Sequence, residues 1–225
     1  MTKQTYHHGD LRRALLEAAA EVIEEHGPAG LSLRELARRA GVSHAAPTHH
    51  FRDKAGLLTA LAAEGYDLLA AELTQEWAAN HSFLEQGVAY VRFALRHRAH
   101  FEVMFRPDLY HADEPVLAVA RERAAQALYA GVSGDAAPTP PWTGTSADAV
   151  TAGPDQDHGT PPSAADPGRR QASELREAGL AAWSIAHGFA TLRLSGAFPH
   201  LSGDPDQVAR AILRRLPPPS PTPDH

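Results

Sequence analysis

Between Ser32 and Phe51 two short helix-favouring segments meet across a single glycine, and few folds accommodate that arrangement. Ser32-Leu33-Arg34-Glu35 has the form of a capping box, in which serine and glutamate satisfy each other's unpaired backbone N–H groups, and it leads into Leu36, Ala37 and Ala40. Gly41 stands where a left-handed residue ends a helix, and Ser43 is placed to cap a further helix running to Phe51. Upstream, Leu11, Leu15, Ala18 and Val22, with Ala19 and Ile23 beside them, keep helical spacing from Asp10, an N-cap residue, to the Gly27-Pro28 stop. The order helix, helix, tight glycine turn, helix is the outline of a helix-turn-helix.

Asp53 is placed to cap a long helix carrying Leu57, Leu58, Leu61, Leu68, Leu69 and Leu73, and further helical runs follow at 82–97, 99–106 and 114–131. From 133 to 170 the chain turns to Pro, Gly, Asp, Ser and Thr with little to bury, which predicts a disordered insertion. Helices at 171–197 and 205–216 and a flexible tail at 217–225 complete the reading. No segment alternates like a strand. The expected fold is all-α: a three-helix domain at 1–52 followed by an antiparallel helical domain built from 53–132 and 171–216.

With 43% apolar residues, the 225-residue chain can build a packed core, and its lack of cysteine excludes disulfides, thiolate zinc sites and thiol nucleophiles. MTKQTYHHGDLRR has no apolar core of a signal peptide, and no later run has bilayer length, so a soluble cytoplasmic protein without membrane contact is expected. A net charge of −6 argues against nucleic-acid binding until its distribution is considered. Residues 1–56 hold eight Lys and Arg against seven Asp and Glu, a net +1 that leaves −7 for the remainder. That asymmetry is too small to decide.

In order and spacing, LLEAAAEVIEEHG, LSLRELARRAGVS and HHFRDKAGLL resemble the DNA-binding domain of the TetR (tetracycline-repressor-like) family over residues 10–58. Trp183-Ser-Ile-Ala-His187-Gly188 is similar to the W-x-x-x-H-G signature of WHG-type effector domains attached to some of these regulators. The resemblance implies a transcriptional regulator, usually a repressor, that binds a pseudo-palindromic operator in double-stranded DNA as a homodimer and is released by a small molecule. It implies dimerisation through the last two helices and requires no cofactor.

Within that frame, helical spacing puts Pro47 and Phe51 on the core side of the third helix and His44, Ala45, Thr48 and His49 on the side facing bases. Ser32, Arg34, Ser43, His50 and Lys54 complete the expected DNA-binding set, at helix N-termini or at positions where the family commonly touches the phosphate backbone. Thr48 departs from the aromatic, most often Tyr, that the family carries there. If Ser43 is the N-cap, Pro47 removes the first intrahelical hydrogen bond. Arg12, Arg13, Arg38 and Arg39 fit phosphate contacts and solvated helix faces equally well, and His7 and His8 fit an arm or a loose end. For a ligand pocket the aromatic spacing and the W-x-x-x-H pair nominate Tyr90, Phe93, Phe101, Met104, Phe105, Trp183 and His187, residues that ordinary core packing explains as well.

Catalysis finds no support. There is no H-E-x-x-H, P-loop, G-x-G-x-x-G or nucleophile elbow, and neither His97 with His100 nor His44 with His49 and His50 has an acidic partner at metal-ligand spacing, so no metal site is expected. The alternative to a regulator is a helix-turn-helix serving as a protein-interaction module without specific DNA binding.

Overall fold

The computed structural model describes residues 8–133 and 167–215 and is helical throughout apart from turns, with no strand among the described residues. Its helices are α1 (His8–His26), α2 (Leu33–Arg39), α3 (Ala45–Phe51), α4 (Lys54–Asn80), α5 (Phe83–Arg96), α6 (Arg98–Met104), α7 (Pro115–Ser133), α8 (Pro167–Leu194) and α9 (Pro205–Leu213). Short 3-10 turns at Pro28–Gly30 and Pro107–Leu109 follow α1 and α6. The expected insertion falls outside the described residues, except that Ser133 closes α7 and residues 167–170 open α8; the expected tail and the N-terminal arm through His7 lie outside them too. Among the described residues no helix is long and apolar enough to cross a membrane.

The chain folds as two compact units, the first comprising Met1–Leu68 with Ala94–Arg121 and the second Leu69–Phe93 with Glu122–His225. The unit that holds the helix-turn-helix is therefore larger than residues 1–52. In it, α1 packs on α2 and α6, and α2 on α3. The face of α1 that buries Leu15, Leu16, Ala19, Val22 and Ile23 meets a core completed by Leu36, Ala37, Phe51, Leu57, Leu58 and Leu61. Each of the larger side chains contributes about 1.5–3 kcal/mol by leaving water.

The second unit is centred on Val88, Ala89, Tyr90 and Phe93 of α5, with Leu128 and Tyr129 of α7, Phe189 and Ala190 of α8, and Ala209 and Leu213 of α9. Its last helix starts cleanly: Pro205 follows the N-cap Asp204, whose carboxylate accepts from Asp206 N–H. Two arginines fix α9 in place. Arg210 makes a bidentate pair with Glu85 at 2.6 and 2.7 Å, and Arg92 bridges Glu76 and Asp206 at 2.7 and 3.0 Å.

Candidate nucleic-acid interface and internal cavity

Helix α2 ends in a Schellman motif: Val42 N–H donates to Ala37 C=O at 3.0 Å and Gly41 N–H to Arg38 C=O, with Gly41 at φ +65°. The left-handed conformation expected at Gly41 is thus what turns the chain from α2 into α3. The expected capping box is not made. Ser32 is the N-cap residue, but its side chain makes no capping bond. Glu35 instead accepts two bonds from Arg38, at 2.6 and 2.8 Å, and one from Arg39. Two guanidinium groups outcompete one backbone N–H for that carboxylate, and Arg38 first, then Arg39, hold it down at a pKa of about 2.

The same interactions bear on the arginines. Arg39 also reaches Glu25 on α1 at 2.6 Å, fastening α1 to α2, while Arg13 lies 3.6 Å from Glu17 and the Arg12 guanidinium sits over the Phe51 ring. Arg34 is exposed and makes no ion pair among the described residues.

Helix α3 begins at Ala45, with His44 as N-cap, one residue later than a cap at Ser43 would place it. Ser43 C=O accepts from Ala46 N–H at 3.0 Å in a tighter turn. With this start, Pro47 occupies the third helical position, where no intrahelical donor is needed, and it costs the helix no hydrogen bond. Pro47 and Phe51 are buried, whereas His44, Ala45, Thr48 and His49 are exposed on one face, with Ser43 exposed beside them and His50 half-buried. The His49 and His50 rings stack at 5.6 Å.

The joint between α3 and α4 is unusually tight. Arg52 has φ +68° and ψ −58°, and Asp53 N–H donates to Phe51 C=O at 2.8 Å, which closes a γ-turn of the strained, positive-φ kind. Asp53 then caps α4 as expected, accepting from Gly56 N–H at 2.7 Å, and that bond followed by His111 keeps its carboxyl below the usual range. Gly56 sits so near the turn that a Cβ there would lie 2.0 Å from Phe51 O. Lys54 extends its ammonium to Ala29 C=O at 3.2 Å, leaving two of its three donors for other acceptors. The segment before α7 reaches the same joint, with His111 3.2 Å from Asp53 and Glu114 2.9 Å from Arg52. His111 and Glu114 lie in no motif, and Arg52 and Gly56, although within HHFRDKAGLL, are not nominated for this joint by it.

In the second unit, a cavity of about 510 Å³ is lined among the described residues by Phe83, Leu84, Leu128, Ala182, Leu213 and other apolar groups, together with Tyr90, Trp183, His81 and Arg214. Along its wall runs a hydrogen-bonded chain. Trp183 Nε1–H donates to Tyr90 OH at 3.1 Å, and Tyr90 OH lies 3.0 Å from His187 Nδ1. Burial lowers the His187 pKa, which favours the neutral imidazole, and in the tautomer protonated on Nε2 its Nδ1 can accept the phenol proton.

Of the residues nominated for a pocket, Tyr90 and Trp183 line this cavity and His187 stands behind Tyr90. Phe93, Phe101, Met104 and Phe105 do not. Phe93 is fully buried in the second unit's core, and the other three belong to the first unit, where Phe105 meets Phe101 and Tyr66 edge-on and Met104 lies against Gly65. Aromatic spacing marks a helix's buried face whether or not a hollow lies beneath it. Sequence reasoning missed Arg214, His81 and Leu213, which come from helix ends. His100 does find an acidic partner, Glu64 at 3.3 Å, with the His97 ring edge-on to it, but no group of three metal-ligating side chains forms among the described residues.

Comparison with known proteins gives two family matches: residues 15–61 to "Bacterial regulatory proteins, tetR family" and residues 83–216 to "Tetracyclin repressor-like, C-terminal domain". The chain is 49% identical over 49 residues to the HTH-type transcriptional regulator BetI of Escherichia coli, a stretch covering 22% of this chain and 25% of that one. It therefore spans only about a quarter of the length of such curated relatives. Among solved structures it is similar to a protein of unknown function from Rhodococcus sp. RHA1, with a TM-score of 0.63, 30% identity and coverage of 95% of this chain and 99% of that one. A TetR family transcriptional regulator, PfmR from Thermus thermophilus, shares the fold at TM-score 0.57 and 20% identity, covering 90% of this chain and 96% of its own.

Proposed function

Because this chain belongs to the tetR family of bacterial regulatory proteins, we propose that it is a DNA-binding transcriptional regulator, not an enzyme, which reads a pseudo-palindromic operator as a homodimer and acts as a ligand-released repressor. The observation that carries the reading is the division of α3: Pro47 and Phe51 anchor it in the core while His44, Ala45, Thr48 and His49 stand clear of the chain. In the major groove, Ala45 allows close approach or meets a thymine methyl, and the two histidines and Thr48 supply hydrogen bonds to base edges. Ser32, Arg34, Ser43, His50 and Lys54 hold phosphates and fix the register.

A single seven-residue helix reads few bases, so two copies about 34 Å apart are needed to read one turn on each side of a dyad. The surface suited to pairing is on α8, where Leu180, Ile185 and Leu192 are exposed apolar side chains and an added methyl at Gly188 would meet nothing within 4 Å. On α9, the other helix expected to pair, Val208 and Ile212 are half-buried and Leu213 is buried within its own unit. A ligand in the 510 Å³ cavity would bias the separation of the reading heads.

The test is binding of the full chain to a duplex from its own promoter region at increasing salt. Specific binding that weakens with salt, and Lys54→Ala weakening it equally on all sequences, support the reading. If Lys54→Ala instead relaxes preference at one base pair, the groove assignment fails. Trp183→Ala should change the response to ligand and leave operator affinity intact. The pairing of Arg38 and Arg39 with Glu35 and Glu25 favours a second reading, a helix-turn-helix that serves as a protein-interaction module, and absence of any specific DNA complex would select it.

A further inference from the structure

We propose that the cavity of the second unit takes an amphipathic carboxylic acid, with the carboxylate at Arg214 and the apolar body against Phe83, Leu84, Leu128 and Trp183. The inference rests on the reading of that cavity as the ligand site and adds the chemistry of the ligand. Charge is one-sided there: the titratable lining groups are His81, Arg214 and the phenol of Tyr90, and no carboxylate lines the space among the described residues. Glu85, whose carboxyl feels the charge of Arg214, is already held by two bonds from Arg210 and is therefore occupied as a counter-ion. Arg214 is exposed at the end of α9 and makes no ion pair among the described residues.

The rest of the lining decides the other end of the ligand. Tyr90, Leu128, Ala186 and Leu213 are buried, and the polar atoms of Trp183 and Tyr90 bond within the wall, Trp183 N–H to the phenol and the phenol with His187. A ligand that entered polar end first would compete with those bonds. One that keeps its anionic head near Arg214 and His81, both exposed, loses nothing and gains a fork-shaped donor suited to a carboxylate. A cationic ligand finds aromatic faces but no carboxylate among the described lining residues and would meet the charge of Arg214, and a wholly apolar one leaves Arg214 unused.

The experiment titrates the full chain with decanoate, methyl decanoate and decylamine below their aggregation limits, by calorimetry, and repeats the series with Arg214→Gln and with Ala182→Phe. Decanoate should bind at least tenfold more tightly than the ester or the amine, and octanoate should be weaker by about fourfold per methylene removed. Arg214→Gln should abolish the preference for acid over ester while leaving the ester's affinity unchanged. Ala182→Phe, which intrudes on the lining, should weaken all probes. Equal binding of acid and ester, or a preference that survives Arg214→Gln, overturns the carboxylate assignment and leaves the cavity a ligand site. Failure of every probe to bind, or binding indifferent to Ala182→Phe, overturns the ligand reading of the cavity as well.

Discussion

Replacing Gly56 by alanine sets helix propensity against the geometry of the α3–α4 joint. Gly56 is the third residue of α4, has no left-handed backbone, and on propensity alone should gain about 1 kcal/mol from alanine. The structure reverses that sign. The new Cβ would stand 2.0 Å from Phe51 O, more than about 1 Å inside an ordinary contact, and 3.2 Å from Phe51 C, a few tenths of an ångström too close. The obstructing atom is backbone, and it is held by Asp53 N–H at 2.8 Å, while Asp53 in turn caps α4 through Gly56 N–H at 2.7 Å. Making room means opening the γ-turn and losing the cap, about 1 kcal/mol for each. Net of propensity, Gly56→Ala should destabilise by about 1 kcal/mol, lowering Tm by roughly 3 °C for a chain of this size. Urea titration with parent and variant at the same protein concentration, which keeps the concentration dependence of any association the same for both, should show a lower midpoint at unchanged slope. Operator affinity should fall as well, because α3 is re-aimed. A variant as stable as the parent would refute the reasoning, since the turn would then have slack.

Arg52→Gly and Arg52→Ala both remove the ion pair to Glu114, but only glycine relieves the positive φ, so the glycine variant should be about 1 kcal/mol more stable in the same titration; equal stability would mean that the turn is unstrained. Arg210 holds the Glu85 carboxyl below its ordinary range, so the stability it provides is complete above the unfolded pKa of about 4.3 and is lost as pH falls through the lower folded value. Denaturation midpoints between pH 6 and 3 should therefore drop further for the parent than for Glu85→Gln, and parallel curves would exclude the linkage. Gly188→Ala should raise the stability of the isolated chain by about 0.5–1 kcal/mol, because nothing obstructs the methyl, yet weaken the dimer in sedimentation. An unchanged dissociation constant would place the paired face elsewhere.

The helix-turn-helix is legible in sequence because each step is written in local chemistry. Apolar spacing marks α1, Gly41 supplies the left-handed stop, and Pro47 with Phe51 stands apart from the polar face of α3 at helical periodicity. The failed capping box shows the limit: Ser32 and Glu35 satisfy the local rule, but Arg38 and Arg39 lie one turn on and claim the carboxylate. The γ-turn is invisible beforehand, since arginine is no turn-forming residue and its strain is stored by contacts with Glu114, remote in sequence. The cavity is illegible for a similar reason. Its described lining gathers the start of α5 and the end of α9 from residues 83 and 214, and of the lining residues that spacing nominated only Tyr90 and Trp183 are present.

The capture of Arg38 and Arg39 by carboxylates within their own unit has a consequence for how such a regulator would search a genome. Loose, sequence-blind attachment to a duplex is driven by cations that displace the ion atmosphere around the phosphates. In the proposed interface two arginines already paired with carboxylates would displace fewer of those ions, and apart from Arg34, Lys54 and whatever Arg12 and Arg13 supply, its contacts would come from hydroxyls and imidazoles. If that interface is right, the protein would slide little and leave random DNA quickly, and its discrimination would come from weak idling rather than from an exceptionally strong grip on its target.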